Sequence, residues 1–308
     1  MLKTTAVAGL CSRLAVAAAL IFATVAEAKE VTLSHKGLVL NANLELAAGK
    51  KLADGAILIT HAGLAHRGME VIAYLQNLFK ERGYNTLAIN LSLGLDNRHD
   101  MYDCKVTHRH RNDDAAEEIG VWVNWLKKQG AKRMTVMGHS RGGAQTALYA
   151  AERDEAAVNA VVLLAPAIHE NTDAAGYQRR YQQPLAPVLE QAQNLVREGK
   201  GGTVLERANL LTCADAPVTA ESFVSYYGPQ ARVDSPSLIP KIKKPVLVVI
   251  AGNDEIVIGL EQKVAPLADG KRVQMKVVDG ADHFFRDLYA DDAVETIAAF
   301  LKGAAGGF

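Results

Sequence analysis

The sequence predicts a three-layer α/β fold. Short apolar runs recur along the chain, one-faced helical periodicity lies between them, and Gly or Pro flanks many of the runs. A parallel strand is reached only by a crossover that returns along a sheet face, so this alternation implies a mostly parallel central sheet flanked by helices.

Composition agrees with a folded, globular chain. Its 308 residues suffice for a sizeable core, and the 49% hydrophobic and 22% charged fractions exclude disordered, collagen-like and coiled-coil classes. Lys plus Arg total 34 and Asp plus Glu total 34, with no run of five like charges, so nucleic acid is not an expected partner. The three cysteines form no C-x-x-C pair, which argues against a zinc ribbon or a thioredoxin-type site.

Residues 1–28 read as a signal peptide. Lys3 and Arg13 precede the apolar run Leu14 to Val25, and Ala26-Glu27-Ala28 supplies the small-x-small cleavage pattern. A spanning helix needs about 20 apolar residues, and this run is shorter, so cleavage near Ala28 is expected. The mature chain then has no stable membrane span and resides in an exported compartment, periplasmic or secreted.

Gly37 to Ala47 alternates with Leu at 38, 40, 44 and 46 and reads as an antiparallel edge strand. Ala56–Ile59, Thr86–Ile89, Met134–Met137, Val161–Leu164 and Val246–Ile250 read as buried parallel strands, with Val273–Val278 after them. Ile119, Trp122, Val123 and Leu126 share one helical face, as do Val294, Ile297, Ala298 and Leu301. Further helices are expected around 69–82, 142–153 and 260–267. Residues 168–244 carry no strong strand pattern but do carry helical periodicity at Val188, Leu189, Ala192 and Leu195. An insert of that length exceeds a plain connection, so a helical cap is expected, with 29–167 and 245–308 as the core.

The chemistry concentrates at three points. Gly138-His139-Ser140-Arg141-Gly142 follows a strand and opens a small-residue helix, the context a nucleophile elbow requires. The turn lifts the Ser140 hydroxyl clear of the sheet and aims the Arg141 amide where an oxyanion would form. Serine needs a base and an orienting acid. Asp254 follows the strand at 246–250, and His283 follows the strand at 273–278, completing the order Ser, Asp, His. Asp282 and Asp279 are alternative partners for His283, and Asp254 is preferred because a strand end holds a carboxylate rigidly.

With these residues in place, the mature chain resembles the α/β-hydrolase-fold serine hydrolases, including lidded esterases, monoacylglycerol lipases and serine aminopeptidases. The resemblance implies Ser140, Asp254 and His283 as catalytic triad and no cofactor. His61-Ala62-Gly63-Leu64 is similar to that family's His-Gly turn after the third strand, with Ala62 in place of the usual glycine. It implies that Gly63 or Leu64 supplies the second oxyanion-hole amide beside Arg141, and position favours Gly63. It also implies a lid that shapes the pocket, and a small-molecule ester or short peptide as substrate. Ester hydrolysis leads, with an aminopeptidase-type activity or a silent binding protein as alternatives; the oligomeric state is left open.

The segment 96–114 is rich in His, Asp and Cys, and His108-x-His110 is a spacing that can chelate. Interleaved Arg98, Lys105, Arg109 and Arg111 would repel a cation, so a polar hydrogen-bonded loop is expected and no metal. Tyr177, Tyr181, Tyr226 and Tyr227 are expected to pack within the cap. Cys104 and Cys213 remain after cleavage and are either bridged across loop and cap or separately buried as thiols.

Overall fold

The computed structural model describes residues 1–2, 28–229, 232 and 234–304. Most of the signal segment read at 1–28 lies outside the described residues. In chain order the elements are β1 (Lys29–His35), β2 (Leu38–Glu45), β3 (Ala56–Thr60), α1 (Glu70–Glu81), β4 (Thr86–Asn90), α2 (Asn112–Lys128), β5 (Met134–His139), α3 (Arg141–Glu152) and β6 (Val158–Leu164). There follow α4 (Ala174–Tyr181), α5 (Ala186–Arg197), β7 (Val204–Leu210), β8 (Cys213–Thr219), α6 (Ala220–Tyr227) and α7 (Ser235–Leu238). The chain closes with β9 (Val246–Ala251), α8 (Leu260–Val264), β10 (Val273–Val278) and α9 (Leu288–Ala304).

Eight strands form one sheet in the order β1-β2-β4-β3-β5-β6-β9-β10. From β4 to β10 every pairing is parallel, while β2 runs antiparallel to both β1 and β4. The edge assignment for residues 37–47 is therefore corrected: β1 is the outer strand and β2 lies inside it. Lys36 (φ 48°) and Gly37 (φ 80°) make the two-residue turn between them, both left-handed as a tight hairpin with matched twist requires.

Both sheet faces are covered, which explains the unbroken apolar runs. Leu58 points into the layer built by Ile119, Trp122 and Leu126 of α2, while Ile57 and Ile59 point into the opposite layer with Phe79 of α1 and Ile297 of α9. The chain goes from β3 by α1 to β4 on one side, then by α2 across to β5 on the other. This reversal puts the carboxyl ends of β3 and β5 side by side, the place where open α/β sheets form ligand crevices.

Between β6 and β9 the insert is mixed rather than wholly helical. β7 and β8 pair as an antiparallel hairpin with two register shifts, where the sequence reading expected helices alone. Pro217 within β8, the irregular register and a Leu211-Thr212 turn without Gly or Asn hide the hairpin from pattern reading. The insert is stitched to the loop that follows β4. His108 bridges to β8, donating its backbone N–H to Pro217 O and accepting from Thr219 N. Ser222 Oγ donates to His110 O at 2.6 Å. Cys104 and Cys213 are joined in a disulfide with α-carbons 5.4 Å apart. Closing the 109-residue separation stabilises by about 4–5 kcal/mol in the chain-entropy account, so the cap is held down on this side.

Candidate active site

The site begins at the turn from β5 into α3. Ser140 has φ 56° and ψ −122°, a conformation that costs a non-glycine residue energy and persists only where neighbours impose it. The imposing contacts are close. A β-carbon on Gly138 would lie 2.2 Å from Gly142 O, and one on Gly142 would lie 2.2 Å from His61 O. Glycine at both positions lets the strand, the helix start and the β3 turn converge beneath the hydroxyl. Ser140 N donates to Leu164 O, and Ser140 O accepts from Gly143 and Ala167, so the turn is anchored to β6 and the chain beyond it.

The structure brings Ser140, His283 and Asp254 into one hydrogen-bonded line. Ser140 Oγ lies 2.8 Å from His283 Nε2, and His283 Nδ1 lies 2.7 Å from Asp254 Oδ2. Asp254 as acceptor requires the hydrogen on Nδ1, which leaves Nε2 free to accept from the serine. Both side chains of the pair are about 95% buried. Burial pushes the Asp254 carboxyl up, but the His283 contact and the amides of Ile256 and Val257, each 2.8 Å from Oδ1, outweigh it and hold the carboxyl below its ordinary value. Asp282 instead pairs with Arg286 and accepts from Phe284 N. Asp279 is exposed.

Two histidines to which sequence reasoning gave no role brace the site, His139 on the segment of His283 and His61 on the turn after β3. His139 Nε2 donates to the backbone oxygen of His283 at 2.8 Å. Burial, then the nearby His283, push the His139 pKa to about 3, so the ring is neutral. His61, at the end of β3, is neutral for the same reason: burial, then the charge of Arg98, push it to about 3. Its Nε2 accepts from Leu91 N at 3.0 Å, and its Nδ1 faces Ala62 O at 3.1 Å. This locks the 61–64 turn against the end of β4. The signal for His61 was present in the His-Gly-like turn, but that for His139 was not, because its partner is 144 residues away.

Gly63 lines the cleft with Ala62, Ser140, Arg141 and His283. Its φ of 40° is left-handed, and its N–H has no acceptor among the described residues. Leu64 points its side chain into the core, gives its carbonyl to Tyr102 N and does not line the cleft. The Arg141 amide, at the start of α3, likewise has no acceptor among the described residues. The cleft holds about 230 Å³ and is also bordered by Met69, Arg180, Val257 and Phe284.

The polar loop after β4 takes another part. His108 Nδ1 lies 3.0 Å from His110 Nε2, and His110 Nδ1 lies 2.8 Å from Tyr226 Oη. Burial pushes His108 to about 4 and His110 well below its ordinary value. Among the described residues no three His, Cys, Asp or Glu side chains are grouped to hold a metal. Asp113 and Asp114 fall in the first turn of α2. Tyr177, Tyr181 and Tyr227 pack on one another and on Phe223 inside the insert.

The family model described as serine aminopeptidase, S33 (Hydrolase_4) matches residues 53–286, a span that contains Gly63, Ser140, Arg141, Asp254 and His283. Among solved structures, Est1E from Butyrivibrio proteoclasticus is similar at 21% identity, covering 90% of this chain and 99% of its own, with a TM-score of 0.61. The esterase Pf2001 from Pyrococcus furiosus is 19% identical, with 91% and 94% covered and a TM-score of 0.60. A dienelactone hydrolase from Anabaena variabilis is 18% identical, with 91% and 99% covered and a TM-score of 0.55. These likenesses are of fold. No curated protein matches the sequence. The chain belongs to the serine aminopeptidase, S33 family and is a serine hydrolase of the α/β-hydrolase fold.

Proposed function

We propose that the protein is an exported hydrolase that cleaves carboxylic esters through an acyl-enzyme on Ser140. The observation that carries this reading is the continuous hydrogen-bonded line from Ser140 Oγ through His283 to Asp254 at the mouth of a cleft. Ser140 Oγ attacks the ester carbonyl while His283 Nε2 takes its proton, and a tetrahedral oxyanion forms between the amides of Gly63 and Arg141. Collapse breaks the ester C–O bond, and His283 passes the proton to the departing alkoxide. Water then adds to the acyl carbon by the same route in reverse, giving the carboxylic acid and the free serine. Asp254 fixes the imidazole tautomer and balances the imidazolium charge.

Ester cleavage is favoured over aminopeptidase action by the character of the cleft. A free peptide amine is a cation and needs an anion to receive it, yet the described cleft-lining residues include Arg141 and Arg180 and no Asp or Glu. Esterases among the structural neighbours add support of the same kind. The intact hydrogen-bonded triad argues against a silent binding protein.

Export is supported by the signal-like residues 1–28 and by the Cys104–Cys213 bridge, which an oxidising compartment sustains. β1 begins at Lys29, so cleavage after Ala28 removes none of the sheet. Among the described residues no helix is long and apolar enough to cross a membrane. Turnover of nitrophenyl esters of rising chain length against aminoacyl anilides, on the purified mature protein, tests the reaction class. Ester turnover at least about a hundredfold above anilide turnover is expected, since only the aminoacyl anilide carries a free cationic amine that needs an anion to receive it; the reverse preference refutes the ester reading. Mass spectrometry of exported protein should find Lys29 at the amino terminus; an intact Met1 refutes cleavage there.

A further inference from the structure

The two deeply buried arginines near the site are treated differently by the fold. Arg98, 7% exposed, has its guanidinium saturated: Nε and Nη2 donate to Leu91 O at 2.9 and 2.6 Å, and Nη1 donates to Asp100 O at 2.5 Å. Arg141 is equally buried at 7%, and its side chain makes no hydrogen bond or ion pair among the described residues; its Nη1 is fully enclosed without a partner. The Tyr226 ring lies 5.5 Å from the Arg141 guanidinium carbon, which offsets charge but accepts none of its N–H donors in their plane. Burial lowers the Arg141 pKa, Tyr226 and Tyr227 offset part of that, and the charge of the neighbouring Arg180 adds to the lowering. A buried, unpaired cation is costly, and arginine cannot escape by losing its proton.

The place of this group is informative. Arg141 directly follows Ser140 and lines the cleft, and Arg180, at the end of α4, lines the same cleft from the insert side with its Nη1 donating to Leu211 O at 2.8 Å. The geometry points to a substrate class: an ester that carries a carboxylate, seated with that carboxylate on the guanidinium of Arg141 and within the field of Arg180. A planar guanidinium receives a carboxylate through two parallel hydrogen bonds, and burial strengthens them. The unmatched donors of the free protein are then matched only in the complex. This inference rests on the ester-hydrolase reading and narrows its substrate.

The test compares kcat/KM on matched pairs of esters. Mono-4-nitrophenyl glutarate against 4-nitrophenyl valerate places the charge on the acyl side, and 4-acetoxybenzoate against its methyl ester places it on the leaving group. At least about a tenfold preference for the charged member of one pair is expected, the size of one charge-assisted hydrogen bond, and the pair that shows it identifies the side. Arg141→Met should bring that ratio close to one, and Arg180→Met, at the exposed rim, should lower it without abolishing it. Because ratios are read, a general loss of activity does not mimic the effect. Equal turnover of both members of both pairs by the wild type, or an unchanged ratio in a folded Arg141→Met protein, overturns the carboxylate site while leaving the ester-hydrolase reading intact. If no ester is turned over, calorimetry decides independently: Ser140→Ala protein should bind monomethyl glutarate at least tenfold more tightly than dimethyl glutarate, and absence of that difference overturns the proposal.

Discussion

His139 reaches past the sheet's end and donates its Nε2 hydrogen to the backbone oxygen of His283, 2.8 Å away and 144 residues later in the chain. The residue before Ser140 thus fixes the peptide that carries the His283 imidazole. Serine and imidazole are positioned by one another's segments as well as by their own hydrogen bond.

His139→Phe keeps a ring in the buried site and removes the donor. The His283 backbone then loses its tether, and a misplacement of about 1 Å is enough to cost about a hundredfold in rate. Steady-state kinetics on a nitrophenyl ester should show kcat falling by about that much with KM little changed, and His139→Gln, whose amide can reach the same oxygen, should recover part of it. Wild-type kcat in the phenylalanine variant would mean that the contact has no positioning role.

Asp254→Asn and Asp282→Asn separate two neighbouring carboxylates. The first removes the charge facing His283 Nδ1 and favours the wrong tautomer, for which losses of about ten-thousandfold in kcat are typical. The second breaks only a half-exposed pair with Arg286, worth about 1 kcal/mol or less. Comparable kcat losses in the two variants would place the acid elsewhere.

Gly142→Ala would put a methyl carbon 2.2 Å from the backbone oxygen of His61. Neither the end of β3 nor the start of α3 can yield without moving the other, so the expected outcome is a melting temperature lowered by several degrees and loss of ester turnover together. Ala144→Gly in the same helix should cost only about 1 kcal/mol through propensity. A Gly142→Ala protein as stable and active as wild type would contradict the close convergence of the two turns.

The parts of this molecule that were legible in the sequence are those whose cause is local. A strand buried on both faces must be apolar throughout, so β3, β4, β5, β6 and β9 are visible as runs. The serine turn is visible because the strand-to-helix turn itself forces Gly138, whose added β-carbon would meet Gly142 and Thr146 a few residues on. β1 is not visible: Lys29–His35 is an exposed edge, only partly covered on one face, and carries no strong pattern. The β7–β8 hairpin hides behind Pro217 and an irregular register. The pairing of His139 with His283 and the unmatched guanidinium of Arg141 depend on which segments meet in space, and residue order along one chain does not encode either in a pattern that can be read locally.

Stability should fall on acidification. His61 and His139 are held to about 3 and His108 to about 4, against an ordinary value of 6.5, and His110 is lowered as well. Each takes up a proton in the unfolded chain at a higher pH than in the folded one, so its contribution is present above about pH 6.5 and is lost as the pH falls toward 4 and 3. Glu118 has the opposite sign: burial raises it to about 7 from 4.5, which favours the fold as the pH falls between those values. The lowered carboxyl of Asp254 acts in the same direction as the four histidines, so Glu118 is outweighed. Melting temperatures measured from pH 7.5 to 4 should therefore decline throughout the lower part of the range, and a flat or rising profile would contradict the neutral, buried state of these histidines.

The central claim is that Ser140 becomes acylated. The most direct measurement is the intact mass of the purified protein quenched within milliseconds to seconds of mixing with a nitrophenyl ester, followed by peptide mapping of the adduct. The expected result is a mass increase of one acyl group on the peptide containing Ser140, absent in Ser140→Ala and long-lived in His283→Ala if any forms there. Turnover of the ester by wild-type protein with no adduct at Ser140, or an adduct of equal amount in Ser140→Ala, would contradict the account.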